Sequence, residues 1–310
     1  MNIQNSAHAL RGSAGLEKVE LAFRDALRTA FGPLDWLPEA DGTIHRFHVP
    51  GDRRGHRNGW YVLHSASIAS GTFGSWKDGG TWHSWSDRKP ADPLEAELIR
   101  QRIELARVQR EADQSRRQIA TTIHASKLWS EARAADADHP YLTHKRIPPY
   151  RLRQHGDVLL VPLYADGHLC NLQRILPDGT KRFLAGGRVK GAYSPIGTLE
   201  QGQKLYICEG WATGATIHTE TDAAVACAMT AGNLLDVGRH LQRHYPDHPL
   251  IIAGDDDRKT EAAGKGNPGR DAANKAAAVL GCNLVLPPFP ANAPLNLSDF
   301  NDLASWRNAR

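Results

Sequence analysis

The chain has 310 residues, 41% of them hydrophobic, enough for one large core or two to three smaller ones. No apolar run nears the about 18 residues of a membrane span, and the N-terminus has no secretory pattern of a basic start and an apolar middle. The four scattered cysteines form no CxxC pair, which excludes a zinc ribbon, and the net charge of +4 permits a nucleic-acid partner without demanding one. A cytoplasmic location without a membrane partner is the expectation.

In chain order, residues 15–31 place Leu16, Val19, Phe23, Leu27 and Ala30 at helical spacing. From Pro33 to Lys89 the chain is rich in Gly, Trp and His. Short strand-like runs, TIHRFHV and GWYVLH, are separated by the turn signals PGDRRGHRNG, ASG and KDGG. Residues 1–90 are therefore read as a β-rich module. Residues 91–135 change character: LEAELIRQRIELARVQREADQSRRQIATTI is dense in charge and lacks Gly and Pro. Leu98, Leu105, Ala112 and Ile119 recur every seven positions, but Gln101 and Ser115 interrupt the seam. The expectation is a solvated helical linker of up to about 60 Å.

Residues 136–202 open on HPYLTHKRIPPYRL and continue as a β-meander. DVLLVPLY, HLCNLQRIL and TKRFLAGG are punctuated by the turns ADG and PDG. From 203 to 310 strands alternate with helices: KLYICE, WATGATIHTET, AAVACAM, LLDVGRHLQRHY, PLIIAG, GRDAANKAAAVL, NLVLP. Near-continuous apolar strands between helices indicate an α/β fold with a parallel sheet covered on both faces, whose working site lies at the carboxyl ends of the strands.

Two such ends carry acids. KLYICEG ends on Glu209 and Gly210; PLIIAGDDDR runs into Asp255, Asp256 and Asp257. Two carboxylates about 4 Å apart at an effective dielectric near 20 repel by roughly 4 kcal/mol, which water or a cation must relieve. Clustered hard oxygens suit Mg²⁺ or Mn²⁺. Asp255 and Asp257 point the same way from an extended strand end and are the expected ligands, with Asp256 opposed. Gly210 and Gly254 are read as letting the backbone turn sharply beside the acids.

This EG…DxD pattern resembles the TOPRIM domain, shared by bacterial-type primases, topoisomerases and some nucleases. HPYLTHKRI resembles the opening of the bacterial primase catalytic core, and the meander through LQRIL, DGTKRFLAGG and VKGAYSP resembles its basic subdomain. GRDAANKAA resembles the helix after the DxD. LSDFNDL and the segment FHVPGDRRGHRNGWYVLH…GTFGSWKDGGTWHSW resemble the mobile-element branch, carried by plasmids, phages and integrative elements. The resemblance implies Glu209 as the catalytic acid, for general acid–base work or for organising the metal as a ligand, Asp255 and Asp257 as metal ligands and Asp299 as a further ligand. It also implies that Arg174, Lys181, Arg182 and Lys190 line the groove for template and triphosphate. Thr213 stands where many members carry an acid, and KTEAAGKGNP is inserted before GRDAA. Neither the zinc module of cellular primases nor a helicase domain is present, so no zinc is expected.

Other signals carry less. GKGNPG at 264–269 matches G-x-G-x-x-G but follows a charged loop rather than a strand, and is read as a flexible loop. His45 and His48, three apart on a strand, face opposite sides and make a poor zinc site. Trp60, Tyr61, Phe73, Trp76, Trp82 and Trp85 are divided between core and base-stacking roles, with Trp76, beside Lys77, expected to be exposed. Arg174, Lys181, Arg182, Arg188, Lys190 and Lys204 form a nearly one-signed strip that reads as a phosphate track. The expected function is primer synthesis on single-stranded DNA from ribonucleoside triphosphates, with a separate helicase or single-strand-binding protein as further partner. The alternatives are a TOPRIM nuclease and a non-catalytic strand-binding factor.

Overall fold

A computed structural model describes residues 3–52, 55, 57–75 and 82–309; Trp76 and Lys77 lie outside them. The chain divides into two compact units, Met1–Ser115 and Arg116–Arg310.

The first unit begins with helix α1 (Ile3–Phe31) and a four-stranded antiparallel sheet: β1 (His45–Phe47), β2 (Gly59–His64), β3 (Ser70–Ser75) and β4 (Trp82–Ser86), in that order. Phe23 and Leu27, one helical turn apart, are fully buried against Phe47, Tyr61, Leu63 and Phe73. The buried stripe of α1 passes through Val19 and Ala26, while Leu16 and Ala30 face solvent, a rotation from the expected face. Trp60, Tyr61 and Phe73 belong to the interior and Trp85 packs on Phe23, whereas Trp82 is 39% exposed.

Helix α2 (Pro93–Glu131) follows, and the division between the units falls inside it. In the first unit the Arg102 guanidinium donates to the carbonyls of Ala66 at 2.8 Å and Ile68 at 2.6 Å and to Ser70 Oγ at 2.9 Å. Arg110 lies over the Trp60 ring, 5.1 Å from its centroid. In the second unit Thr121 Oγ1 donates to the Ala185 carbonyl at 2.9 Å, and Ala125, Leu128 and Trp129 pack with Leu160, Leu172 and Leu184. The helix is therefore not a solvated spacer. Its contacts include small alanines, threonine hydroxyls and arginine guanidinium groups, which a count of large apolar residues passes over.

The second unit holds two sheets. The antiparallel one is ordered β5 (Arg133–Ala134), β6 (Arg153–His155), β7 (Val158–Ala165), β8 (His168–Ile175) and β9 (Lys181–Phe183), with the short helix α3 (Pro140–Lys145) between its first two strands. Asp166 and Gly167, with φ of 50° and 78°, make the two-residue turn between β7 and β8. The other sheet is ordered β10, β12, β11, β13, β14. Its strands β11 (Leu205–Cys208), β12 (Ala224–Cys227), β13 (Leu250–Ala253) and β14 (Asn283–Val285) are parallel, and β10 (Ser194–Ile196) is an antiparallel edge. Helix α4 (Trp211–Thr221) covers one face with Trp211, Ala212 and Ala215. Helices α5 (Leu234–His244) and α7 (Pro268–Leu280) cover the other with Leu234, Val237, Ala273 and Ala276. Two further helices, α6 (Arg258–Ala262) and α8 (Phe300–Arg307), complete the unit. Burial on both faces explains why these strands read as unbroken apolar runs. Among the described residues no helix is long and apolar enough to cross a membrane.

Candidate active site and metal centre

Parallel strands β11 and β13 are neighbours in register, Cys208 opposite Ala253, so the residues leaving their carboxyl ends emerge together. Glu209 follows β11, and Asp255 follows β13 after Gly254. Neither Gly210 nor Gly254 has a positive φ, so backbone freedom is not their reason. At Gly254 it is space: a Cβ there would fall 2.4 Å from that of Ala273 on α7. Gly210 is simply the N-cap of α4.

Glu209, Asp255 and Asp299 line one cavity of about 160 Å³ together with Lys145, Lys181, Gln173 and Thr213. Asp299 arrives from a third element, as the N-cap of α8, where its Oδ1 accepts from the Asp302 amide at 2.7 Å. Asp257 stands at the N-cap position of α6, but its Oδ2 accepts instead from the Gly269 amide of α7 at 2.8 Å. Asp256 turns the other way, as the alternation of an extended segment requires. It is buried and held by Arg270 Nη2 at 2.5 Å and Asn267 Nδ2 at 2.8 Å. Asn267 also accepts from the Asp257 and Arg270 amides, at 2.9 and 3.1 Å. The GKGNPG segment is thus an ordered lead into α7 rather than a flexible loop.

Residues 204–308 match the Toprim domain family. The second unit contains a Toprim domain. Two proteins from Escherichia coli, each named DNA primase TraC, are similar over most of the chain. One is 32% identical over 260 residues, covering 81% of this chain and 24% of its own length. The other is 33% identical over 267 residues, covering 81% and 18%. The chain thus spans about a quarter or less of the length of these relatives.

The Toprim acids are buried carboxyls that repel one another. Burial, then the charges of Asp299, Glu209 and Asp257, push the Asp255 carboxyl up to about 8, and its buried Oδ1 has no hydrogen-bond partner. Burial and Asp257 raise Glu209. Burial and Asp302 raise Asp299, against the pull of Lys145 and Lys181. Among the described residues no three of these acids bring oxygens within 4.8 Å of one another. Such spacing suits an ion that keeps waters and takes substrate phosphates, and an orphaned buried carboxylate oxygen among hard donors fits a divalent cation.

The four expected basic residues do not share one groove. Across β8 and β9, Arg174 pairs with Arg182, Gln173 with Phe183 and Ile175 with Lys181. Residues directly opposite share a face, so Lys181 lies with Gln173 on the cavity side. Arg174 and Arg182 lie on the opposite face, that of Leu160 and Leu172, which α2 covers farther along. Both are exposed. Lys190 is exposed elsewhere, 3.8 Å from Asp236. A one-signed run along a strand alternates faces, and the sequence reading overlooked that alternation.

Three contributors were missed. Lys145, inside the quoted HPYLTHKRI stretch, lines the cavity and pairs with Asp302 at 3.2 Å. The Tyr141 ring, 5.4 Å from Lys181 Nζ, steadies that lysine. Buried Asn233 gathers the carbonyls of Val189, Ala192 and Ala228 on Nδ2 at 2.8–3.0 Å and takes the Gly191 amide on Oδ1 at 2.7 Å. Lys145 and Tyr141 carried a signal in the sequence, as members of the resembling HPYLTHKRI motif, and Asn233 carried none.

Proposed function

We propose that the protein is a DNA primase that binds single-stranded DNA and joins ribonucleoside triphosphates into short RNA primers, in replication or transfer of a plasmid, phage or integrative element. The observation that carries this reading is the meeting of Glu209, Asp255 and Asp299 with Lys145 and Lys181 around one cavity at the strand ends of a Toprim domain. The similarity to two proteins named DNA primase supports it.

Asp255, Asp257 and Asp299 would hold the divalent cation, Mg²⁺ or Mn²⁺. When bound, it neutralises charge on the transferring phosphate and favours ionisation of the attacking 3′ hydroxyl. Glu209, raised by burial and by Asp257, is suited to accept that hydroxyl's proton near neutral pH. Lys145 and Lys181 present fixed positive charge to the triphosphate. Arg174 and Arg182 hold template backbone on the other face of the antiparallel sheet, and Lys190 meets phosphate farther along. The first unit, including Trp76, holds or selects the template, and a separate helicase or single-strand-binding protein, in the cytoplasm, supplies it.

The test is incubation of the full chain with labelled ribonucleotides, unprimed single strands and Mg²⁺ or Mn²⁺. Labelled products of increasing length are expected, reduced by about 10²–10⁴-fold in Glu209→Gln. Shortened template with no labelled product would replace this reading with a nuclease.

A further inference from the structure

Helix α5 carries His240 and His244 one turn apart, so their rings leave the same face, stacked with centroids 4.1 Å apart. Facing them is Asp166, the first residue of the turn between β7 and β8, whose Oδ1 lies 3.7 Å from His240 Nδ1. One ligand atom from each of the three lies within 4.8 Å of the others. We propose that Asp166, His240 and His244 form a second metal site, for Zn²⁺ or another imidazole-binding transition-metal ion, which clips the β7–β8 hairpin to the Toprim helix α5.

The surroundings prepare each ligand. His244 Nδ1 lies 2.8 Å from the His240 carbonyl. A carbonyl only accepts, so Nδ1 carries the proton and Nε2 is left with its lone pair, the arrangement usual for a metal-binding histidine. Asp166 is fixed by its turn, in the left-handed conformation that Asp tolerates. Arg188 donates to its Oδ2 at 3.2 Å, which leaves Oδ1 toward the imidazoles. The His240 side chain is 13% exposed, so its ring is held in place by the surrounding packing. Tetrahedral bonds of about 2.0–2.1 Å place donors about 3.3 Å apart, so modest side-chain rotation closes the site and water completes it. Two imidazoles and one carboxylate select Zn²⁺, Co²⁺ or Ni²⁺ over Mg²⁺, whereas the all-oxygen acids of the catalytic cavity do the reverse. The two centres would thus sort metals by donor chemistry.

The experiment uses the chelator-stripped full chain carrying Asp255→Asn and Asp257→Asn, which removes the competing acids, titrated with Co²⁺ and then Zn²⁺. One equivalent of Co²⁺ with a visible absorption band, displaced by Zn²⁺, is expected. His244→Ala, a surface change that circular dichroism should show to be folded, should weaken binding by about 100-fold or more. His45→Ala, which breaks the Glu39–Asp41–His45 cluster of the first unit, should leave it unchanged. Zn²⁺ should raise the melting temperature of the parent but not of His244→Ala. Absence of Co²⁺ uptake, or equal uptake by the parent and His244→Ala, would overturn the proposal.

Discussion

Asp255 is held at about 8 by burial and by four neighbouring carboxylates, against an unfolded value of about 3.9. The folded chain therefore keeps a proton that the unfolded chain has released, and the stability of the metal-free protein falls as pH rises from about 4 to about 8. A divalent ion removes that penalty. The melting-temperature gap between Mg²⁺ and EDTA should accordingly widen across this interval, and a gap constant with pH would contradict the assignment. Asp255→Asn should raise the melting temperature in EDTA at pH 8, by about 2–4 °C for each kcal/mol regained, while abolishing primer synthesis and leaving strand binding near wild type. Asn233 works in the opposite sense. Asn233→Ala strands the Ala192 and Ala228 carbonyls and the Gly191 amide, and denaturant unfolding should show a loss of about 2–4 kcal/mol.

At the scale of elements, strand alternation divides the basic residues into two groups with separable effects. Lys181→Gln, on the cavity side, should lower synthesis strongly and raise the KM for nucleotide. Arg182→Gln, on the opposite face, should weaken strand binding and flatten its salt dependence by about one unit of log–log slope while sparing nucleotide KM. Identical profiles for the two variants would show that the faces are not distinct. The positions of Glu209 and Asp255 were legible because an apolar strand bounded by glycine and acid fixes its own end, and parallel strands align their ends. Asp256 was legible as the opposed residue for the same reason. Contacts between distant positions were not: Lys145 meets Asp302 across 157 residues, and Asp166 meets His240 through a turn and a helix that neither local pattern connects. Helix α2 misled because its buried residues are Ala106, Thr121 and Ala125, which composition does not mark as core.

At the scale of the whole molecule, the division inside α2 sets where the chain tolerates cutting. A fragment of residues 116–310 keeps Thr121, Ala125, Leu128 and Trp129, which pack on the antiparallel sheet, and should melt cooperatively. A fragment of residues 136–310 exposes Leu160, Leu172 and Leu184 and should melt at lower temperature or aggregate; equal melting would mean that the helix contributes nothing to the core. The account as a whole rests on Asp255 at a strand end and Asp257 and Asp299 at two helix N-cap positions sharing a cation. The most direct measurement is Mn²⁺ titration of the full chain followed by electron paramagnetic resonance, with Mg²⁺ as competitor. Mn²⁺ bound by the wild type, released by Mg²⁺ and lost in Asp255→Asn/Asp257→Asn is the predicted result; equal Mn²⁺ uptake by the two proteins would contradict it.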